Sequence, residues 1–85
     1  MKAKVRLFAR LSELAGFRET EVELGEGLSA RDLYTLLCRR HPELSGFEET
    51  LMFAVNAEYV TPGHPLRDGD EVALIPPVSG GSRAL

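Results

Sequence analysis

A chain of 85 residues with a net charge of −3 holds one domain, which excludes a doubly wound nucleotide-binding fold or a barrel enzyme. Hydrophobic residues make up 44% and charged residues 27%, an ordinary globular balance, and 7% aromatics without Trp argue against a large aromatic-lined pocket. Apolar runs are too short for a membrane span, and dispersed basic residues in an acidic chain argue against nucleic acid, which leaves a module expected to act through a larger partner.

The N-terminus, Met1-Lys2-Ala3-Lys4-Val5-Arg6, is too charged for a signal peptide, so the expected location is the cytoplasm. Residues 4–10 predict a strand, with Val5, Leu7 and Ala9 on one face and Arg6, Phe8 and Arg10 on the other. Residues 11–15 have room for one helical turn before Gly16. A second alternating run, 19–24, sets Thr20, Val22 and Leu24 against Glu19, Glu21 and Glu23, so the two runs pair as a hairpin.

Gly25-Glu26-Gly27 breaks the chain, and Ser29 with Asp32 three residues on forms a short capping box. From Ala30 a helix is expected, with Leu33, Leu36, Leu37 and Cys38 on its apolar stripe and Arg39 and Arg40 at the negative end of its dipole. His41-Pro42 stops it, because the residue before Pro disfavours the helical conformation. A polar connection over 42–50, with room for a helical turn, leads to a strand at 51–55, a tight turn at Asn56-Ala57-Glu58 and a short strand at Tyr59-Val60. After the loop at 61–65 and the Asp68-Gly69-Asp70 turn, the last strand at 71–75 ends at Pro76-Pro77.

A hairpin, one long helix and further short strands make an α+β chain. The expected architecture is a β-grasp (ubiquitin-like) roll, a mixed sheet with one main helix on one face and the first and last strands adjacent at its centre.

Beyond the sheet run Pro76, Pro77, Val78, Ser79, Gly80 and Gly81, which fully extended reach about 20 Å. The prolines stiffen the exit and the glycines make a thin tip able to enter a buried site in another protein. A frayed Gly-rich terminus without function has the same composition, so these residues alone leave both readings open.

The run Asp68-Gly69-Asp70-Glu71-Val72-Ala73-Leu74-Ile75-Pro76-Pro77-Val78-Ser79-Gly80-Gly81 resembles the end of MoaD/ThiS-type ubiquitin-like sulfur carriers. Within them it is most similar to the small subunit of molybdopterin synthase. Val5-Arg6-Leu7-Phe8-Ala9-Arg10-Leu11-Ser12-Glu13-Leu14-Ala15-Gly16 resembles their first strand and turn, and Ala54-Val55-Asn56 with Tyr59-Val60 their middle.

The resemblance implies a carrier that is not catalytic on its own. An E1-like adenylating enzyme would activate the Gly81 carboxylate with ATP, and a sulfur donor would displace AMP to leave a thiocarboxylate. The large subunit of molybdopterin synthase would then receive that sulfur for molybdenum cofactor biosynthesis. No cofactor is expected on this chain itself, since ATP belongs to the activating partner.

The division implied is a domain over 1–78, a functional Ser-Gly-Gly tail over 79–81 and an extension over 82–85. Ser82-Arg83-Ala84-Leu85 departs from the family pattern, because it leaves Gly81 in an amide bond where the chemistry needs a carboxylate. Removal by a processing protease is the first expectation. An appended or fused segment, or a paralogue that carries no sulfur, are the others. Alternative functions are a ubiquitin-like interaction or regulatory module, a protein modifier, or a carrier for another sulfur pathway.

Strand parity suggests a docking face. With Val5, Leu7, Val72 and Leu74 under the helix, Phe8 and Ile75 turn outward near the root of the tail, where Tyr59 can join them. These three are the expected partner-binding residues, and they match apolar contact positions of the resembled family. Cys38 with His41 could in principle form a thiol–imidazole pair, but Cys38 lies on the apolar stripe and is expected in the core. Two histidines, one of them His64 in a loop, and one cysteine are too few and too scattered to hold a metal.

Overall fold

The alternation of the first segment builds an inner strand. In the computed structural model, which describes residues 1–77, β1 spans Lys2–Leu7 and buries Ala3, Val5 and Leu7 while Lys2, Lys4 and Arg6 face water. The strand does not run on to Arg10 as the alternation suggests. At Ala9 the backbone turns to φ 51 and ψ −125, which leaves Ala9 exposed rather than facing the helix. A short helix α1, Arg10–Ala15, follows, because fully buried Leu11 anchors the chain there. Gly16, at φ 83, closes α1 with its N–H on the Ser12 carbonyl at 2.9 Å, a left-handed cap that glycine adopts without strain.

Strand β2, Glu19–Glu23, runs antiparallel to β1, with Lys2 opposite Glu23, Lys4 opposite Glu21 and Arg6 opposite Glu19. Helix α2, Ala30–Arg40, begins at the expected cap: Asp32 N–H donates to Ser29 Oγ at 3.2 Å and Ser29 N–H to Asp32 Oδ2 at 2.9 Å. Its next free amides are met by the later loop, since Ala30 N–H donates to His64 O and Arg31 N–H to Pro62 O, both at 2.9 Å.

The buried stripe of α2 is Ala30, Leu33, Tyr34 and Leu37, with Leu36 and Cys38 only half-buried. Tyr34 thus replaces the outer members of the expected stripe. It is admitted because its hydroxyl is satisfied: it donates to Leu44 O at 2.6 Å and accepts the Phe47 N–H at 3.2 Å. Leu44 closes a 3-10 turn, Pro42–Leu44, the helical turn for which the polar connection had room.

Strands β3, Met52–Val55, and β4, Glu58–Val60, form a hairpin across Asn56-Ala57, whose φ values of 52 and 73 fit a two-residue turn matched to sheet twist. Strand β5, Glu71–Ile75, enters the middle, parallel to β1 and antiparallel to β3, giving the order β2-β1-β5-β3-β4. The sheet is mixed, with its first and last strands adjacent as expected. Val5, Val72, Leu74, Leu33 and Leu37 are buried together between sheet and α2, and each such side chain contributes about 1.5–3 kcal/mol on leaving water. One face of the sheet is therefore spent on the core, and the other is open.

Candidate functional site: the open face of the sheet

Register places specific residues on that open face. One row crosses the whole sheet: Glu19, Arg6, Ala73, Ala54 and Tyr59 stand opposite one another on β2, β1, β5, β3 and β4. The next row toward the tail pairs Ile75 with Met52, and Phe8 joins it by donating its N–H to Leu74 O at 3.3 Å. Two alanines at the centre and large side chains around them produce an open concavity of about 650 Å3. Its lining includes Phe8, Tyr59, Ile75, Ala54, Ala73, Arg6 and Glu71.

Phe8 is 43% exposed, Tyr59 69% and Met52 47%, an apolar rim that a monomer gains nothing by showing to water. Ile75 is half-buried. The charged end of the face is organised separately: Arg6 Nη1 lies 3.2 Å from Glu71 Oε2, and Arg6 Nε 3.6 Å from Glu19 Oε2. Such exposed pairs add little stability, but they hold the guanidinium beside the concavity.

Phe8 and Ile75, expected together from parity, and Tyr59, expected to join them, do line one surface. Arg10 does not flank Phe8 as expected. It sits on α1, paired with Glu13 at 3.2 Å, because the chain turns at Ala9. Met52 and the alanine floor were missed, although the same parity reveals them: with Leu51, Phe53 and Val55 buried, Met52 and Ala54 must face the other way.

The face leads directly to the tail. Ile75 ends β5, Pro76 is buried and Pro77 is exposed. Of the expected tail residues, Val78, Ser79, Gly80 and Gly81 lie outside the described residues, as do residues 82–85.

The groups displaced from their ordinary ionisation lie on the helix side of the molecule. Burial pushes the Tyr34 hydroxyl and the Cys38 thiol up, and backbone N–H donors, its own and that of Gly46, hold the Glu48 carboxyl down. A thiol so held is a poor nucleophile. His41 is engaged elsewhere, its ring edge-on to Phe17 at 5.1 Å and its Nδ1 3.6 Å from Glu43. Among the described residues no three His, Cys, Asp or Glu side chains gather to hold a metal ion, and no helix is long and apolar enough to cross a membrane.

Comparison with protein families matches residues 5–81 to the ThiS family. The chain belongs to the ThiS family. Among its relatives is the molybdopterin synthase sulfur carrier subunit of Chlamydomonas reinhardtii, 47% identical, an alignment covering 95% of this chain and all of the relative. The human molybdopterin synthase sulfur carrier subunit is 36% identical, covering 94% of each chain. Among solved structures, SAMP1 of Haloferax volcanii, a small archaeal modifier protein, superposes with a TM-score of 0.83 at 32% identity, covering 95% of this chain and all of that one. The ThiS-family assignment agrees with the β-grasp sheet order, and its match extends through Gly81, past the described residues.

Proposed function

We propose that this ThiS-family chain is the sulfur carrier subunit of a molybdopterin synthase, acting through a thiocarboxylate on Gly81. One observation carries the reading beyond kinship: the concavity lined by Phe8, Tyr59 and Ile75 reaches, at Phe8 and Ile75, the strand end from which the Pro-Pro tail departs. A carrier needs that combination. Its partners must grip a folded face while they reach the tip of the tail.

Chemically, a carboxylate is a poor electrophile until converted to a mixed anhydride. Its oxygen would attack the α-phosphorus of ATP in an E1-like enzyme, releasing pyrophosphate, and a sulfur nucleophile would then displace AMP. Glycine offers no Cβ to obstruct attack on that carbonyl. The large synthase subunit would receive the sulfur. Residues 82–85 must first be removed, because the Gly81–Ser82 amide cannot be adenylated, so the full chain is a precursor awaiting a protease. The setting in this reading is the cytoplasm, and ATP is bound by the activating partner alone.

The likeness to SAMP1 favours a second reading, a protein modifier whose activated Gly81 is joined to other proteins. Both readings need the same activation and differ in the acceptor. The test is ATP–pyrophosphate exchange by an E1-like enzyme with the chain ending at Gly81 and the chain ending at Leu85. Exchange with the first alone supports a processed carrier. Exchange with neither contradicts both readings. Sulfur delivered to a pterin by the large subunit then separates the carrier from the modifier.

A further inference from the structure

The outer edge of β2 offers a second surface, one strand away from the concavity. Strand β2 is paired on its inner side only, against β1. Met1 and Leu24 exchange both backbone bonds, at 2.8 and 2.7 Å, and Leu7 N–H donates to Arg18 O at 2.8 Å. The alternation of an antiparallel ladder then turns the backbone groups of Thr20 and Val22 inward and those of Glu19, Glu21 and Glu23 outward. That edge presents three donors and three acceptors in one row, the template to which a further strand adds.

The side chains specify which strand. Glu19, Glu21 and Glu23 are exposed on the open-face side of this edge, while Lys2, Lys4 and Arg6 face them from β1. Only Glu19 is engaged, with Arg6 at 3.6 Å and Lys4 at 3.9 Å, and among the described residues no basic group lies within ion-pair distance of Glu21 or Glu23. A shallow pocket of about 220 Å3 opens here between Lys4, Glu19, Thr20 and Glu21. A second copy of this edge would set glutamate against glutamate, a repulsive cross-strand arrangement. A strand bearing cations at alternate positions would instead continue the Lys–Glu alternation that β1 and β2 begin.

We infer that the β2 edge is a docking site for an extended segment of a partner protein that carries Lys or Arg at every second residue. Main-chain bonds to Glu19, Glu21 and Glu23 supply the grip, and the carboxylates of Glu21 and Glu23 supply the selection. The concavity is lined from β1, β5, β3 and β4, so a partner on β2 leaves the carrier face and the root of the tail free. The edge site therefore does not depend on the carrier reading.

The test titrates the full chain with an octapeptide alternating Lys and Val, and with its counterpart carrying Glu in place of Lys, while amide hydrogen exchange is followed by NMR. The Lys peptide is expected to slow exchange at Glu19, Glu21 and Glu23 by about tenfold or more, and the Glu peptide to leave it unchanged. The double variant Glu21→Lys, Glu23→Lys should reverse that preference. No slowing at these amides, equal slowing by both peptides, or protection confined to Phe8, Tyr59 and Ile75 would overturn the proposal. Glu21→Pro removes one outward N–H without touching the β1 ladder, a position where an edge strand accepts proline. Weaker binding by Glu21→Pro than by Glu21→Gln, which removes the charge alone, supports the main-chain bonds, and equal affinity of the two variants rejects them.

Discussion

Asn56 Nδ2 donates to Asp70 Oδ1 at 2.9 Å, and Asn56 Oδ1 accepts the Glu71 N–H at 3.0 Å, so one turn side chain bolts the β3–β4 hairpin to the start of β5. Asp70 extends the bolt, its Oδ2 accepting Arg67 N–H at 2.8 Å and its carbonyl accepting Lys4 N–H at 2.9 Å. Asn56 and Glu71 both line the concavity, which ties the shape of that surface to these bonds. Asn56→Gly keeps the left-handed turn but removes the side chain. It should lower stability by about 1–3 kcal/mol in urea denaturation and speed hydrogen exchange at Glu71.

Phe8 and Tyr59 separate docking from folding. Both project from the rim, and neither belongs to the buried core. Phe8→Ala and Tyr59→Ala should each weaken binding to the activating enzyme about tenfold or more, the scale of an interface anchor, while stability changes by less than about 0.5 kcal/mol. Calorimetric titration with parallel thermal melts checks this. Ile75→Ala is less clean, because that side chain is half-buried and its loss should also cost about 1–2 kcal/mol of stability.

Two alanines hold backbone conformations that suit glycine better. Ala57 sits at φ 73 in the hairpin turn, and Ala9 at φ 51 where β1 gives way to α1. A left-handed conformation costs a non-glycine residue about 1–2 kcal/mol, and glycine's extra freedom in the unfolded chain takes back about 0.5–1 kcal/mol. Ala57→Gly should therefore raise stability by about 0.5–1 kcal/mol in a thermal melt. An unchanged or lowered midpoint would contradict the strain.

Tyr34 gives the fold an alkaline limit. Its hydroxyl is held protonated above the ordinary value of 10.0, chiefly by burial. The unfolded chain ionises first, so this contribution is intact below about pH 10 and declines above it by about 1.4 kcal/mol per pH unit. Tyr34→Phe should flatten that decline. At neutral pH it should cost about 1–3 kcal/mol, because the Phe47 N–H and the Leu44 carbonyl lose their partner.

Most strands and the main helix were legible because one physical signal dominated each. Alternation in β2, the Ser29–Asp32 box and the Pro76-Pro77 stop are local features that tertiary contacts only reinforced. Strand parity placed Phe8 and Ile75 on one surface for the same reason, since a period of two leaves a side chain no third direction.

The turn at Ala9 was hidden, because alternation through Arg10 looked unbroken while the burial of Leu11 bent the chain. Tyr34 was hidden differently. A tyrosine enters a helix's buried stripe only where a partner waits for its hydroxyl, and Leu44 O comes from a turn ten residues on. The Asn56–Asp70 bolt joins residues fourteen apart in sequence, beyond any local pattern.

Carrier function on Gly81 is tested most directly by intact mass spectrometry of the untagged protein purified from cells making molybdenum cofactor. The account requires a species ending at Gly81, and within it a fraction with one carboxylate oxygen replaced by sulfur that disappears when the activating enzyme is deleted. Finding only the chain through Leu85 under those conditions would contradict it.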